Sequence, residues 1–130
     1  METYFNIRYE MDKEAVWQSI DRFIREQAPT YICVADGVIL NITNRNPEYL
    51  KVVNGSAFSI CDSSYVPIYL KWIYGIHREQ YCGSQIFMDL IKMKKYRMFF
   101  MGTSAKTLAA LKENLVKIDN RIADMTFYEL

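Results

Sequence analysis

A chain of 130 residues, 51% hydrophobic and 24% charged, has the size and composition of one soluble domain built on a single core, which excludes a disordered or fibrous protein. With 16 basic against 15 acidic residues the net charge is +1, so no overall field recruits nucleic acid or an anionic membrane. Cys33, Cys61 and Cys82 are too widely spaced for a disulfide framework or a zinc site, and no apolar run reaches the roughly 18 to 20 residues that span a bilayer. Reduced thiols and a cytoplasmic location are expected.

Residues 4–9 alternate well enough for a strand, and Asp12 then caps a helix in which Val16, Ile20, Phe23 and Ile24 recur at helical spacing. Pro29 marks its exit. Residues 30–35 form a β-branched, apolar run that reads as a buried strand and ends at Asp36-Gly37. Residues 38–44 and 47–53 carry helical periodicity, with Asn46 as cap and Pro47 in a first turn. Asn54-Gly55 closes that segment, and a short strand over residues 58–61 delivers Asp62 to a turn.

From Tyr65, the positions Tyr65, Ile68, Tyr69, Trp72 and Ile73 fall on one helical face, which predicts core packing, and Gly75 is a natural stop. Tyr65 and Tyr74, near the ends of this helix, are also placed to line a pocket. A polar connection carrying His77 follows, read as a surface loop. Ile86, Phe87, Leu90 and Ile91 then mark an amphipathic helix ending in the basic run Lys92, Lys94, Lys95 and Arg97. Residues 98–101 read as a strand stopping at Gly102, Ser104 caps a last helix on Leu108, Leu111, Leu115 and Ile118, and residues 125–128 form a final strand. Strands alternating with helices predict a Rossmann-like three-layer α/β sandwich, with a mainly parallel sheet and helices on both faces.

Neither GxGxxG nor a P-loop is present. What remains for phosphate is Phe99-Phe100-Met101-Gly102-Thr103-Ser104, a strand, a glycine turn and a helix start, with a plain tight turn as the competing reading. His77 is the only histidine, so no site needing two histidine ligands can form. Asp36 and Asp62 both lie where a strand meets a turn. In a parallel sheet such positions open on one edge, where one carboxylate can serve as a general base; helix capping is the alternative role.

The segments Asn46-Pro47-Glu48-Tyr49-Leu50, Ile73-Tyr74-Gly75, Glu79-Gln80-Tyr81-Cys82-Gly83-Ser84 and Tyr96-Arg97-Met98-Phe99-Phe100-Met101-Gly102, with Asp62 between them, carry a more specific signal. On these residues the chain resembles the WecG/TagA/CpsF glycosyltransferases, bacterial enzymes that extend polyprenyl-diphosphate-linked sugars for wall teichoic acid, enterobacterial common antigen and capsules. The N-terminal strand and helix also fit. The resemblance implies an inverting transfer with Asp62 as base, pocket positions at Val34, Asp36, Ser63, Tyr65, Gln80 and Gly83, and a nucleotide contact at Gly102 and Thr103. Several positions depart from the family pattern: Val34 and Asp36 occupy a Thr-x-Asn element, Ser63 replaces a glycine, and Gln80 and Gln85 replace an arginine and an aspartate.

The resemblance further implies a UDP-sugar donor carrying an N-acetylhexosamine-type sugar such as N-acetylmannosamine, and a polyprenyl-diphosphate-linked acceptor. It implies no metal or other cofactor and no nucleic-acid partner. Family members continue into a basic C-terminal appendage implicated in completing the site and in membrane attachment. The chain is therefore expected to be the N-terminal portion of such an enzyme, working at the inner face of the cytoplasmic membrane, with a homo-oligomer among the expected states. Two other classes compete with this reading. One is a non-catalytic α/β domain binding nucleotide or a protein partner; the other is a flavodoxin-like cofactor binder, disfavoured because the loop after the first strand lacks a Ser/Thr/Gly-rich phosphate cradle.

Overall fold

The first predicted strand is in fact two. The computed structural model describes residues 1–130 and opens with a hairpin of β1 (Glu2–Tyr4) and β2 (Ile7–Tyr9), antiparallel with Tyr4 opposite Ile7. Its two-residue turn places Phe5 at φ 52 and Asn6 at φ 62. That left-handed pair matches the twist of a tight hairpin, but Phe5 is an unusual residue for it and no Asn-Gly or Asp-Gly signal announces it. The turn is held from outside: the Phe5 N–H donates to Tyr74 Oη at 3.3 Å, and the two rings meet edge to face.

The chain divides into two units, Met1–Gly83 and Ser84–Leu130. In the first unit Asp12 caps α1 (Lys13–Arg25), its Oδ1 accepting from Ala15 N at 2.8 Å. Then come β3 (Ile32–Ala35), α2 (Gly37–Arg45), α3 (Pro47–Gly55) and β4 (Phe58–Cys61). Asn46 caps α3 through Tyr49 N, as expected for an Asn-Pro helix start. The sheet order is β1-β2-β4-β3, with β4 parallel to both its neighbours.

Every residue of β4 is buried, the mark of a central parallel strand covered on both faces. On one face Tyr9, Ala35 and Cys61 pack with Val53 of α3. Val66 and Leu70, from the next helix, complete that layer. On the other face lie Phe58 and Ile60; the register partner of Phe58, Ile32, shares a recess with Ile20, Phe23 and Ile24 of α1. Helices thus cover both faces of this sheet.

Helix α4 (Tyr65–Tyr69) runs into a π turn over Leu70–Tyr74 and stops at Gly75, φ 69. Here the expectation of one buried aromatic face is overturned. Only Val66 and Leu70, four residues apart, point inward, whereas Tyr65 is 65% and Trp72 82% exposed. Ile68, Tyr69 and Ile73 are exposed as well, so the apolar residues occupy the solvent side and only the short Val66–Leu70 stripe belongs to the core. His77 is exposed on the irregular stretch that follows, as expected.

The second unit takes in α5 (Gly83–Met93) from Ser84 onward, then β5 (Phe99–Met101), α6 (Ala105–Val116), a 3-10 turn (Asn120–Asp124) and β6 (Thr126–Tyr128). β5 and β6 are parallel, with Phe100 opposite Phe127 and their rings stacked 4.5 Å apart. Ile91, Phe100, Leu115 and Ile122 form its core. Asp119 starts the 3-10 turn and is buried, and the Arg121 guanidinium that grips both its oxygens holds its carboxyl below the usual carboxylate range. The chain is therefore mixed α/β with mainly parallel strand pairing, a Rossmann-like arrangement.

Candidate active site

Parallel pairing of β3 with β4, in the register Ala35 opposite Cys61, brings the carboxyl ends of both strands to one edge. Asp36 and Asp62, one residue beyond each strand, therefore stand side by side there, the position where open α/β sheets take their ligands. Their carboxylates are held differently. Asp36 Oδ1 accepts from Val38 N at 2.9 Å and Ile39 N at 3.0 Å, so this side chain is the N-cap of α2.

Asp62 Oδ1 accepts a 2.7 Å bond from Gly83 N, and its other oxygen has no protein partner. The same Gly83 explains Val34. A Cβ on Gly83 would sit 3.3 Å from both methyl carbons of Val34 and 3.7 Å from Asp62 Oδ1, so this crossing is open only to glycine or to a residue that pushes Val34 aside. Val34, Asp62 and Gly83 are thus brought together by packing. Ser63 turns its hydroxyl inward along the chain, accepting from Tyr65 N at 3.2 Å, and Tyr65 projects outward. Gln80 is exposed on the stretch leading to Gly83, and no hydrogen bond positions its side chain.

Beneath this edge the polar groups are inert. Burial pushes the Cys61 thiol up, the Asp62 charge adds to that, and a long bond from Sγ to Ser63 O opposes it. Such a thiol is a packed hydrophobe rather than a nucleophile. Tyr9 is buried with no partner for its hydroxyl, and its acidity is suppressed first by burial and then by the charges of Cys61 and Asp36. Ser59 Oγ is also buried without a partner.

Two features escape the sequence. Trp17 Nε1 donates to Tyr81 Oη at 3.0 Å and Lys13 lies over the same ring, which fastens the segment before Gly83 to α1. Nothing in the periodicity of α1 singles out Trp17 for this. The second is an open recess of about 590 Å³ beside the two aspartates, bordered by α2, α4 and the hairpin turn and reached by Gly37 and Ser63.

Gly102 and Thr103 belong to the second unit. Gly102, at φ 139, donates its N–H to Tyr128 O, and Thr103 sits at φ 50, a strained conformation for a β-branched residue. The first turn of α6 is already in use: Ser104 Oγ accepts from Thr107 N, and Glu129 Oε1 accepts from Ala105 N at 3.0 Å. An anion arriving at this turn must displace the Glu129 carboxylate. No group of three or more His, Cys, Asp or Glu side chains is arranged to hold a metal ion, and no helix is long and apolar enough to cross a membrane.

Compared with known families, residues 3–126 match the model of the glycosyl transferase WecG/TagA/CpsF family. The chain belongs to that family. The match covers almost the entire sequence, including both aspartates and Gly83, and gives the chain glycosyltransferase chemistry as its general class. A comparison with curated proteins returns no match.

Proposed function

We propose that the chain transfers an N-acetylhexosamine-type sugar, such as N-acetylmannosamine, from a UDP-sugar to a polyprenyl-diphosphate-linked acceptor, with inversion and with Asp62 as base. The observation that carries this reading is the half-used carboxylate at the carboxyl end of β4, anchored by Gly83 N at 2.7 Å through one oxygen and open through the other. In such a transfer the acceptor oxygen bonds to the anomeric carbon, the bond from that carbon to the UDP oxygen breaks, and the hydroxyl proton passes to the free Asp62 oxygen. Anchoring through Oδ1 fixes the direction of the oxygen that takes the proton. In this reading the lipid-linked acceptor is met at the cytoplasmic face of the membrane.

The test is turnover of UDP-sugars with a lipid-linked acceptor by the chain and by its Asp62→Asn variant. The amide keeps the oxygen that accepts from Gly83 but takes no proton, so transfer falls by about 10²-fold or more while the fold is retained. Equal turnover by both removes Asp62 from the mechanism. A second reading, a non-catalytic domain that binds nucleotide, is favoured by the commitment of Asp36 to capping α2. It predicts stabilisation by UDP with no transfer from any donor.

A further inference from the structure

The recess beside the aspartates is bordered by Asn6, Asn41, Asn44, Ser63, Tyr65 and Tyr69, and its volume of about 590 Å³ is that of a small-molecule site. No charged side chain lines it. Asn41 and Asn44 lie one turn apart on α2, Tyr65 and Tyr69 one turn apart on α4, so amides and phenol rings are presented from different walls. Asn6 reaches the recess from the hairpin turn, where its backbone is left-handed. The three side-chain amides and the two phenol hydroxyls make no hydrogen bond within the chain; Asn6 engages only its main-chain carbonyl, which accepts from the Asn54 side-chain amide, and Tyr65 only its main-chain N–H.

Chemistry of this kind selects its ligand by exclusion as well as by fit. An anion finds no cation in the recess, and the first N–H groups of α2 are consumed by Asp36, itself a negative charge. A lipid tail has no use for three amides, which it would strip of water without replacing their hydrogen bonds. A neutral sugar ring uses every group: its C–H face packs on a phenol ring and its rim hydroxyls both donate to and accept from the amides.

We propose that this recess holds a neutral pyranose of the acceptor, a role that rests on the transferase reading above for placing the acceptor beside Asp62. Gly37 and Ser63, the immediate neighbours of Asp36 and Asp62, both line it, so a sugar seated there reaches the strand ends from the α2 and α4 side. Asn6, Asn41, Asn44, Tyr65 and Tyr69 are the residues that select it.

The experiment is a nuclear magnetic resonance titration of the full labelled chain with methyl glycosides of glucose and N-acetylglucosamine, and separately with UDP and with a short isoprenoid phosphate in micelles. The expected result is movement of the Asn6, Asn41 and Asn44 side-chain amides on adding a glycoside. The dissociation constant should rise at least tenfold in Tyr69→Ala and Asn44→Ala, two exposed sites whose substitution leaves the core untouched. No movement with either glycoside, or movement of these amides with UDP or isoprenoid phosphate instead, overturns the proposal. The transferase reading fails separately. Glycoside binding without turnover by any UDP-sugar leaves the recess as a sugar site and removes the reaction, whereas undiminished turnover in a Tyr69→Ala chain with no glycoside binding removes the recess and leaves the reaction.

Discussion

Asp36 and Asp62 end neighbouring parallel strands at the same level, yet their carboxylates are tied to chain at very different separations. Asp36 bonds N–H groups two and three residues ahead, whereas Asp62 bonds Gly83, 21 residues away. The first bond is local and would form in any helix with this start. The second exists only when the strand end and the segment before α5 have been folded against each other, with Val34 packed across the same glycine. Two carboxylates in equivalent topological positions thus serve different structures, one starting a helix and one tying the sheet edge to a distant segment.

The Asp62→Asn exchange attacks this contrast most strongly, with its loss of about 10²-fold in transfer and little change in stability. Next comes Gly83→Val, which forces a branched side chain into Val34 and the Asp62 carboxylate. We expect a loss of about 1–3 kcal/mol in urea unfolding, partly recovered when Val34→Ala is added. Additive effects of the two substitutions would show that Val34 and Gly83 do not share a contact.

Asp36→Ala should cost about 1 kcal/mol, the value of a helix cap, with the loss visible as faster amide exchange at Val38 and Ile39. An effect of similar size and opposite sign is expected beneath the pair. Tyr9→Phe removes a buried hydroxyl that has no partner and should raise stability by about 1 kcal/mol. A fall in urea midpoint instead would show that the hydroxyl is bonded in solution.

The same division between local and distant bonding decides what could be read from the sequence. Caps at Asp12, Asn46 and Ser104 are side-chain bonds to residues three positions ahead, and each was legible as a residue type before a helical period. The Asp36 cap was legible only as an alternative to catalysis, since the same residue serves either. The Phe5-Asn6 turn has no local signal because its partner, Tyr74, lies 69 residues away. The buried face of α4 is not legible, because apolar spacing marks a stripe without saying what covers it. Nothing in the spacing distinguishes Val66 and Leu70, which the sheet covers, from Tyr65 and Trp72, which it does not. The amide recess needed three separate chain segments in register and left no linear signal.

The bond from Gly83 to Asp62 has one more consequence. An amide proton that donates directly to a carboxylate senses whether that carboxylate is charged, and glycine amides occupy an uncrowded region of a nitrogen–proton spectrum. Gly83 is therefore a native reporter on the ionisation of the candidate base, readable in the intact protein with neither donor nor acceptor present.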